Sequence, residues 1–226
     1  NKSDFVVIAL GGSIVVPRLS DEGGLDIPFL KRFRGLILRE AGKRRRFLVI
    51  VGGGKTCRIY QKAITGLEGV KNADLDFVGV QSTRLNASVL LVMLQSKAYP
   101  KIIDDTLPVR EFAKLQKSEY PVFVACGGVP GRTTDYGAVK LAQMFGATEV
   151  VDAGDIDFVY DKDPKKFPNA RPISQISWSE YRKLIPAEWT PGLASPIDPV
   201  AAKLAQKANI TAKILRGSDL GNMKKA

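Results

Sequence analysis

The stretch Cys126-Gly-Gly-Val-Pro-Gly-Arg-Thr-Thr-Asp135 joins a buried apolar run, Tyr120 to Ala125, to an amphipathic helix that we expect to begin near Asp135. Its three glycines let the backbone approach a ligand closely, its two threonines offer hydroxyl donors, and Arg132 brings a permanent positive charge. The N–H groups at the start of the following helix point at the same place. The stretch therefore predicts a phosphate-binding turn between a strand and a helix.

Two further glycine turns follow apolar runs. Phe5 to Leu10 is broken by Gly11-Gly12-Ser13, and Phe47 to Val51 by Gly52-Gly53-Gly54-Lys55. Continuous apolar runs of this length are typical of strands buried on both faces of a parallel sheet. Because the carboxyl ends of parallel strands meet at one edge, we expect the three turns to lie together. Neither of the two turns matches a common phosphate-loop pattern, so each alone is also compatible with an ordinary strand-to-helix turn.

The rest of the chain alternates between helical and extended patterns, which predicts a three-layer αβα sandwich with a mostly parallel central sheet. Helical patterns run from Asp26, which we expect to cap its helix, to about Gly42, after Gly54, from Asp74 to Lys97, from Pro108 to Lys117, after Asp135, from Ser177, and from a cap at Asp198-Pro199 through Ala208. Further strands are expected at Lys101 to Ile103, Pro121 to Ala125, Glu149 to Asp152 and Ala212 to Leu215, with a hairpin near Phe158 to Tyr160 and an irregular, lid-like segment from Pro186 to Pro196.

The charge balance favours anionic partners. The chain of 226 residues has 34 Lys and Arg against 23 Asp and Glu, a formal charge of +11, and no histidine, which excludes a Cys/His zinc site. We interpret the densest basic run, Lys43 to Arg46, as a solvated helix end, and we do not expect nucleic acid as a partner. No apolar run in the sequence approaches the ~20 residues that span a bilayer, so we expect no membrane and a cytoplasmic protein.

Three glycine turns at one sheet edge can hold more phosphates than a single cofactor carries, which indicates two phosphorylated ligands facing each other. Phosphoryl transfer between nucleotides requires in-line positioning, cations to spread the charge, and magnesium. The available cations are Lys55, Arg58, Arg84, Arg132 and Lys162. Asp135 is the carboxylate best placed to orient them, although it is equally compatible with a role as the N-cap of its helix.

At these positions the sequence resembles the amino-acid kinase superfamily, and most of all its UMP kinases of the archaeal type. Six motifs occur in the family's order and spacing across nearly the whole chain: Leu10-Gly-Gly-Ser13, Val51-Gly-Gly-Gly-Lys55 with Arg58, Asp76 to Asn86, Gly127 to Asp135, Ile156 to Pro164, and Ile197-Asp-Pro-Val-Ala-Ala-Lys203. The resemblance implies one amino-acid kinase domain over residues 1–226, with the monophosphate half at about 1–150 and the ATP half at about 151–226 plus the glycine turns.

The resemblance also implies an activity, transfer of the γ-phosphoryl of ATP to UMP with Mg²⁺ to give UDP and ADP in pyrimidine nucleotide biosynthesis. It implies a hexamer built from dimers, which the apolar pattern from 74 to 97 would suit. The residues that it assigns to ATP are Gly12, Ser13, Gly54, Arg58, Gly154, Asp155, Tyr160 and Asp163. Those that it assigns to UMP are Gly53, Asp76, Gly128, Val129, Pro130, Gly131, Arg132, Thr133 and Thr134, and we add Arg84 as a phosphate contact.

Three positions depart from the family pattern. Ala9 stands where many members carry a lysine, and we expect Lys55 to supply that charge and to act with Asp135 in catalysis. Gly154-Asp155 stands where the family usually has Thr-Asn, and the given sequence stops at Ala226, short of the closing Gly-Thr segment of the family. Two alternatives remain open at this stage: another small-molecule kinase of the same fold, or a nucleotide sensor or nucleic-acid binder without catalysis.

Overall fold

Five parallel strands form the central sheet of the computed structural model, which describes residues 5–20, 23–43, 45–189 and 195–226. Their order is β3-β2-β1-β4-β7, and β5 and β6 form a separate antiparallel pair. The strands are β1 (Phe5–Leu10), β2 (Arg46–Val51), β3 (Val122–Ala125), β4 (Glu149–Gly154), β5 (Val159–Tyr160), β6 (Pro172–Ile173) and β7 (Thr211–Arg216). All the pairs of the central sheet are parallel, so the glycine turns after β1, β2 and β3 leave the same edge.

The described helices are α1 (Gly12–Val15), α2 (Ile27–Ala41), α3 (Gly54–Ile64), α4 (Asn72–Leu94), α5 (Val109–Lys117), α6 (Thr134–Phe145), α7 (Trp178–Leu184), α8 (Pro199–Ala208) and α9 (Leu220–Lys225). Local chemistry determines several of their ends. The Asp26 side chain accepts the N–H of Phe29 at the start of α2, and the Asp198 side chain accepts those of Val200 and Ala201 in α8. Both caps confirm the sequence prediction.

Helices cover both faces of the sheet, which confirms the three-layer αβα sandwich. Ile8 and Leu10 of β1 pack into one core cluster with residues of α2, α4 and α9, whereas Val7 and Ala9 pack into a second cluster with residues of α5, α6, α7 and α8. Because successive strand residues point to opposite faces, each apolar run supplies both cores. This arrangement explains why the strands are continuously apolar and do not alternate with polar residues.

One predicted strand is missing from the structure, and the short helices α1 and α9 were not predicted. Lys101 to Ile103 is not a strand: only Ile103, through an isolated bridge to Ala125, and Ala98, through one to Val122, pair with β3. Pro100, which lacks a backbone N–H, separates the two bridges. The irregular segment expected from Pro186 to Pro196 lies partly outside the described residues, which exclude 190–194.

Helix α4 and the turn after it, Asn72–Lys97, are long and apolar enough to cross a membrane by length and composition. In this fold, however, α4 packs against α3, β2 and β3, and it buries Ala87, Leu90 and Leu94 in the core. Asn86 is also buried, with its amide bonded to a neighbouring turn. We therefore interpret α4 as a core helix.

Arg46, at the start of β2, ties the end of α5 to the sheet. Its guanidinium donates hydrogen bonds to the carbonyls of Leu115, Gln116, Ser118 and Tyr120 at 3.2, 2.6, 2.7 and 3.4 Å. It also lies 4.3 Å from the ring centroid of Phe5. The interpretation of the whole Lys43 to Arg46 run as a solvated helix end is therefore wrong for Arg46, whose partners lie at the end of α5 and in the residues that follow it.

We predict that Arg46→Met lowers the free energy of unfolding by about 2 kcal/mol, because the end of α5 loses charge-assisted hydrogen bonds and the β2 strand loses a stacking contact. Urea denaturation would measure the change. Arg110→Met is the matched control, since that side chain is 83% exposed and pairs only loosely with Glu111 at 3.8 Å. Equal unfolding midpoints for the two variants would contradict this role of Arg46.

Candidate active site

The glycine turns after β1 and β2, which are the first and second turns of the site, are in direct backbone contact. A Cβ on Gly12 would lie 2.1 Å from the nitrogen of Gly54 and 2.5 Å from the carbonyl oxygen of Gly52. A Cβ on Gly54, whose φ is +65°, would lie 2.3 Å from the carbonyl oxygen of Gly12. No side chain fits at either position, so the two turns form one continuous backbone surface at which a phosphate can approach closely.

The ends of β4 and β7 meet the first turn at the same place. The N–H of Gly11 donates to the carbonyl of Ala153 at 2.9 Å, and that of Gly217 to the carbonyl of Gly154 at 2.8 Å. Gly12, Ser13, Gly54 and Gly154, all predicted to bind ATP, therefore lie around one junction at the carboxyl ends of four strands. Open α/β sheets bind their ligands at this edge.

The predicted catalytic Lys55 and most of the other residues predicted to bind ATP are exposed to solvent. The side chains of Lys55 and Arg58 are exposed near the start of α3, and within the described ranges neither makes a hydrogen bond or an ion pair. Asp155 is exposed directly after β4. Tyr160 lies in β5, and Asp163 caps the following turn by accepting the N–H of Lys165.

A bidentate ion pair fixes the start of the excursion that carries Tyr160 and Asp163. Arg216, at the end of β7, donates to both carboxylate oxygens of Asp157, at 2.9 and 2.7 Å. The hydrogen bonds and positive charge of the Arg216 guanidinium lower the pKa of the Asp157 carboxyl. The excursion therefore leaves the sheet next to Gly154, on the side of the junction predicted for ATP.

The glycine turn after β3, Cys126 to Asp135, is the third turn of the site, and the turn after β2, Gly52 to Lys55, is the second. Both are attached to α4. The Thr83 hydroxyl accepts the N–H of Gly127 at 2.9 Å, and the carboxylate of Asp76 accepts that of Gly131 at 3.1 Å. The Asn86 amide donates to the carbonyls of Gly52 and Gly53, at 2.8 and 3.2 Å. Helix α4 therefore brings together Gly53, Asp76 and the Gly128 to Thr134 segment, all of which were predicted to hold UMP.

Two arginines at the third turn are each paired with a carboxylate. Arg132 lies 2.8 Å from Asp105, and its guanidinium also lies 5.1 Å from the ring centroid of Tyr136. Arg84, on α4, lies 3.1 Å from Asp104. The sequence identified the two arginines as phosphate contacts, but it did not identify Asp104 or Asp105 as their partners.

Asp135 is not the N-cap of α6. Thr133 is the cap, because its hydroxyl accepts the N–H of Tyr136 at 3.0 Å. Asp135 instead accepts the N–H of Asp198 at 3.4 Å, and the Thr133 hydroxyl donates to the Asp198 carboxylate. Loss of solvation, followed by the negative charge of Asp198, raises the pKa of Asp135 to about 7.

A third carboxylate belongs to the same group. Asp152, near the end of β4, is buried, and its pKa is raised well above the usual range by burial and by the charges of Asp135 and Asp155. Carboxylates whose pKa is raised by burial and by each other's charge occur often in catalytic sites and also in structural networks. Asp135, which the sequence predicts to be catalytic, therefore belongs to a group of buried carboxylates with raised pKa values.

Tyr181 fixes the approach of the chain to Asp198. Its buried hydroxyl donates to the carbonyl of Ile197 at 2.7 Å and accepts the N–H of the same residue at 2.9 Å. Burial raises the pKa of this hydroxyl, so it remains a donor. The sequence predicted Asp198 as the cap of α8, but no local signal connected it with Asp135 or Tyr181.

The arrangement can hold two anions close together. One backbone surface is formed by the first two turns with the ends of β4 and β7, and a second by the third turn with Arg132 and Arg84 beside it. The three carboxylates of Asp135, Asp152 and Asp198 form a third feature, carried by α6, β4 and the start of α8. This combination is suited to the transfer of a phosphoryl group from one bound phosphate to another.

Comparison with known proteins identifies relatives that match this chain over nearly its whole length. A family model described as "Amino acid kinase family" matches residues 4–216. The uridylate kinase of Methanosarcina acetivorans is 34% identical over 216 residues, which cover 95% of this chain and 88% of that protein. The uridylate kinase of Hyperthermus butylicus is 32% identical over 222 residues, which cover 97% of this chain and 92% of that protein.

Among solved structures, the uridylate kinase from Archaeoglobus fulgidus superposes with a TM-score of 0.77 at 29% identity, covering 97% of this chain and 94% of that chain. The strand order, the three glycine turns and the sequence match over almost the full length therefore agree, and the chain belongs to the amino acid kinase family.

Proposed function

We propose that this protein is an ATP-dependent UMP kinase, which transfers the γ-phosphoryl group of ATP to UMP. The observation that carries the proposal is the attachment of two glycine turns to one helix, where Asn86 holds the second turn and Thr83 the third. Such a support sets two phosphate-binding surfaces at a fixed separation. The relatives that match over nearly the whole chain are named uridylate kinases, which supports UMP as the acceptor.

In this proposal the donor and acceptor bind to different parts of the site. ATP binds at Gly12, Ser13, Gly54, Arg58, Gly154, Asp155, Tyr160 and Asp163, and UMP at Gly53, Asp76 and the turn from Gly128 to Thr134, with Arg84 as an added phosphate contact. Lys55 and Asp135 act in catalysis, Lys55 as a mobile cation and Asp135 as the carboxylate that orients cations around the transferred group. The chain is then one domain with a monophosphate half and an ATP half.

We propose that Mg²⁺ enters as the complex with ATP. Within the described ranges no group of three or more His, Cys, Asp or Glu residues could hold a metal ion by itself. Magnesium at kinase sites commonly takes most of its ligands from substrate phosphates and water, which supports a metal carried by the substrate.

We also propose that the protein forms a homo-oligomer in the cytoplasm, a hexamer built from dimers, with α4 at the dimer contact. Phe77, Leu85 and Val92 recur at intervals of eight and seven residues, so they lie along one side of the helix. Their exposed fractions are 56%, 58% and 75%. An exposed apolar stripe of this kind on a helix is characteristic of an association surface.

We predict turnover of UMP in a coupled assay with ATP and Mg²⁺, and little with AMP. Uracil and adenine, the bases of UMP and AMP, differ in their hydrogen-bonding edges. A site whose polar groups pair with one base therefore leaves some of these groups unpaired with the other. Equal rates with UMP and AMP would favour another kinase of this fold. Absence of turnover combined with a steep salt dependence of binding to random duplex DNA would favour the non-catalytic alternative.

We predict that Asp135→Asn abolishes most turnover but stabilises the fold above pH 7 by about 2 kcal/mol. In the wild type the raised pKa of Asp135 means that the folded state keeps a proton which the unfolded chain has lost. The contribution of this carboxyl to stability is therefore full below about pH 4 and is lost as the pH rises to about 7. The amide cannot ionise, so it avoids this loss.

Urea denaturation of both proteins from pH 4 to pH 8 would measure the effect. The difference in unfolding free energy should grow from near zero at pH 4 to its full value above pH 7. Glu119→Gln is the control, because Glu119 is exposed and the same chemical change there removes no buried charge. A constant difference between wild type and Asp135→Asn across this range would contradict the assignment.

For the assembly, we predict that Leu85→Glu converts the oligomer into smaller species, because a charge in the centre of the apolar stripe cannot be buried without a partner. Light scattering after size-exclusion chromatography would report the mass. Val109→Glu is the control, since Val109 is an equally exposed apolar residue, 79% accessible, on a different helix. An unchanged mass for Leu85→Glu would exclude α4 from the contact.

A further inference from the structure

Asp104 and Asp105 lie beside the third turn in a segment that is anchored to the sheet. The N–H of Ile103 donates to the carbonyl of Val124, and the carbonyl of Ile103 accepts the N–H of Cys126, both at 3.0 Å. These two bonds fix the backbone immediately before Asp104 against the end of β3. The two carboxylates are therefore held at the point where the third turn begins.

Each of these carboxylates pairs with an arginine from a different element. Asp104 lies 3.1 Å from Arg84 of α4, and Asp105 lies 2.8 Å from Arg132 of the third turn. A Cβ on Gly128 would lie 2.3 Å from an oxygen of Asp105 and 3.5 Å from one of Asp104, so both carboxylates, and the guanidinium groups paired with them, lie beside one residue of the third turn. Their convergence beside a glycine turn indicates a site for a strongly charged anion.

Burial differs between the partners in a way that gives them different roles. The side chains of Asp104 and Asp105 are only 15% and 2% exposed, whereas those of Arg84 and Arg132 are 43% and 41% exposed. The carboxylates therefore face the protein, and the guanidinium groups extend from them toward solvent. An arginine carries five N–H donors in a planar fork, so a single carboxylate leaves donors available for a ligand.

The carboxylates are also held on their protein side. Asp104 accepts hydrogen bonds from the backbone N–H, at 3.0 Å, and from the hydroxyl of Thr106. An oxygen of Asp105 packs so closely against Gly128 that a Cβ there would lie 2.3 Å from it. Both carboxylates are therefore in fixed positions, and each can fix the arginine that it contacts.

We propose that Asp104 and Asp105 are positioning residues which hold Arg84 and Arg132 ready for the phosphate of the monophosphate acceptor. The inference rests on the proposed function, since that phosphate is the anion expected at the third turn. Preorganised donors bind an anion more tightly than mobile ones, because the conformational entropy of the side chains is lost before the ligand arrives. The carboxylates act through the arginines and do not touch the ligand.

Calorimetric titration with UMP in the absence of ATP tests this inference directly. We expect Asp105→Asn to raise the Kd for UMP about tenfold, because the charge-assisted bond that fixes Arg132 is lost. In the coupled assay the KM for UMP should rise in parallel, while kcat stays within about twofold. Asp104→Asn should act in the same direction through Arg84.

Two comparisons separate the positioning of the arginines that bind the phosphate from general damage to the third turn. The inhibition constant of uridine, which lacks the phosphate, should stay the same in Asp105→Asn. In an Arg132→Ala background, Asp105→Asn should have no further effect on the Kd for UMP, because the residue through which it acts is already absent. Glu149→Gln is the matched control, since its carboxylate pairs with Lys213 at 3.2 Å at the opposite end of β4.

Four results would overturn the inference: an unchanged Kd for UMP, a lower Kd, an equal weakening of uridine, or an undiminished effect of Asp105→Asn in the Arg132→Ala background. A lower Kd would mean that the carboxylates compete with the phosphate for the arginines. Full effects of Asp105→Asn in the Arg132→Ala background would equally exclude action through Arg132. Failure of the proposed function is distinct, since it appears as absent turnover in the wild type even though UMP binds normally.

Discussion

Gly12 meets Gly52 and Gly54 with no space for a Cβ between them, and the geometry of the site depends on this contact. It is possible because β1 and β2 pair in register to their last residues, Leu10 opposite Val51, so both turns leave the sheet at the same level. Any side chain at Gly12 would force the turns apart. The Asn86 amide pairs with the carbonyls of Gly52 and Gly53, which weakens their repulsion of an anion bound at the turns.

Helix α4 converts this local contact into a two-sided site. Thr83 and Asn86, which hold the third and second turns, are three residues apart, so their attachment points differ by roughly 4.5 Å along the helix axis. A rigid helix sets this separation far more precisely than two independent loops could. In-line transfer requires the reacting atoms of donor and acceptor at nearly van der Waals distance, and a shared helical support meets that requirement. The few polar residues of an otherwise apolar helix therefore have a positional role.

The features that could be predicted from the sequence are those that depend on residues close together in the chain. Apolar runs identified β1 and β2, and Asp26 and Asp198 were recognised as helix caps because a cap needs only the next three residues. Contacts between distant segments could not be predicted in this way. Nothing near Asp105 indicates that Arg132 is its partner, and nothing near Asp135 indicates that Asp198 raises its pKa. Arg46 was misassigned for the same reason, since its acceptors are about 70 residues away.

The departure at Ala9 acquires a physical meaning from the sheet register. Ala9 pairs with Asp152 on the neighbouring strand, and both lie on the face covered by α6, which carries Asp135. A lysine at position 9, which the family resemblance leads one to expect, would lie beside these carboxylates and favour their ionised forms. With alanine there, burial and mutual repulsion dominate, and the pKa values of Asp135 and Asp152 are raised. The strand itself therefore supplies no positive charge at this position, which is the charge that the proposed role assigns to Lys55.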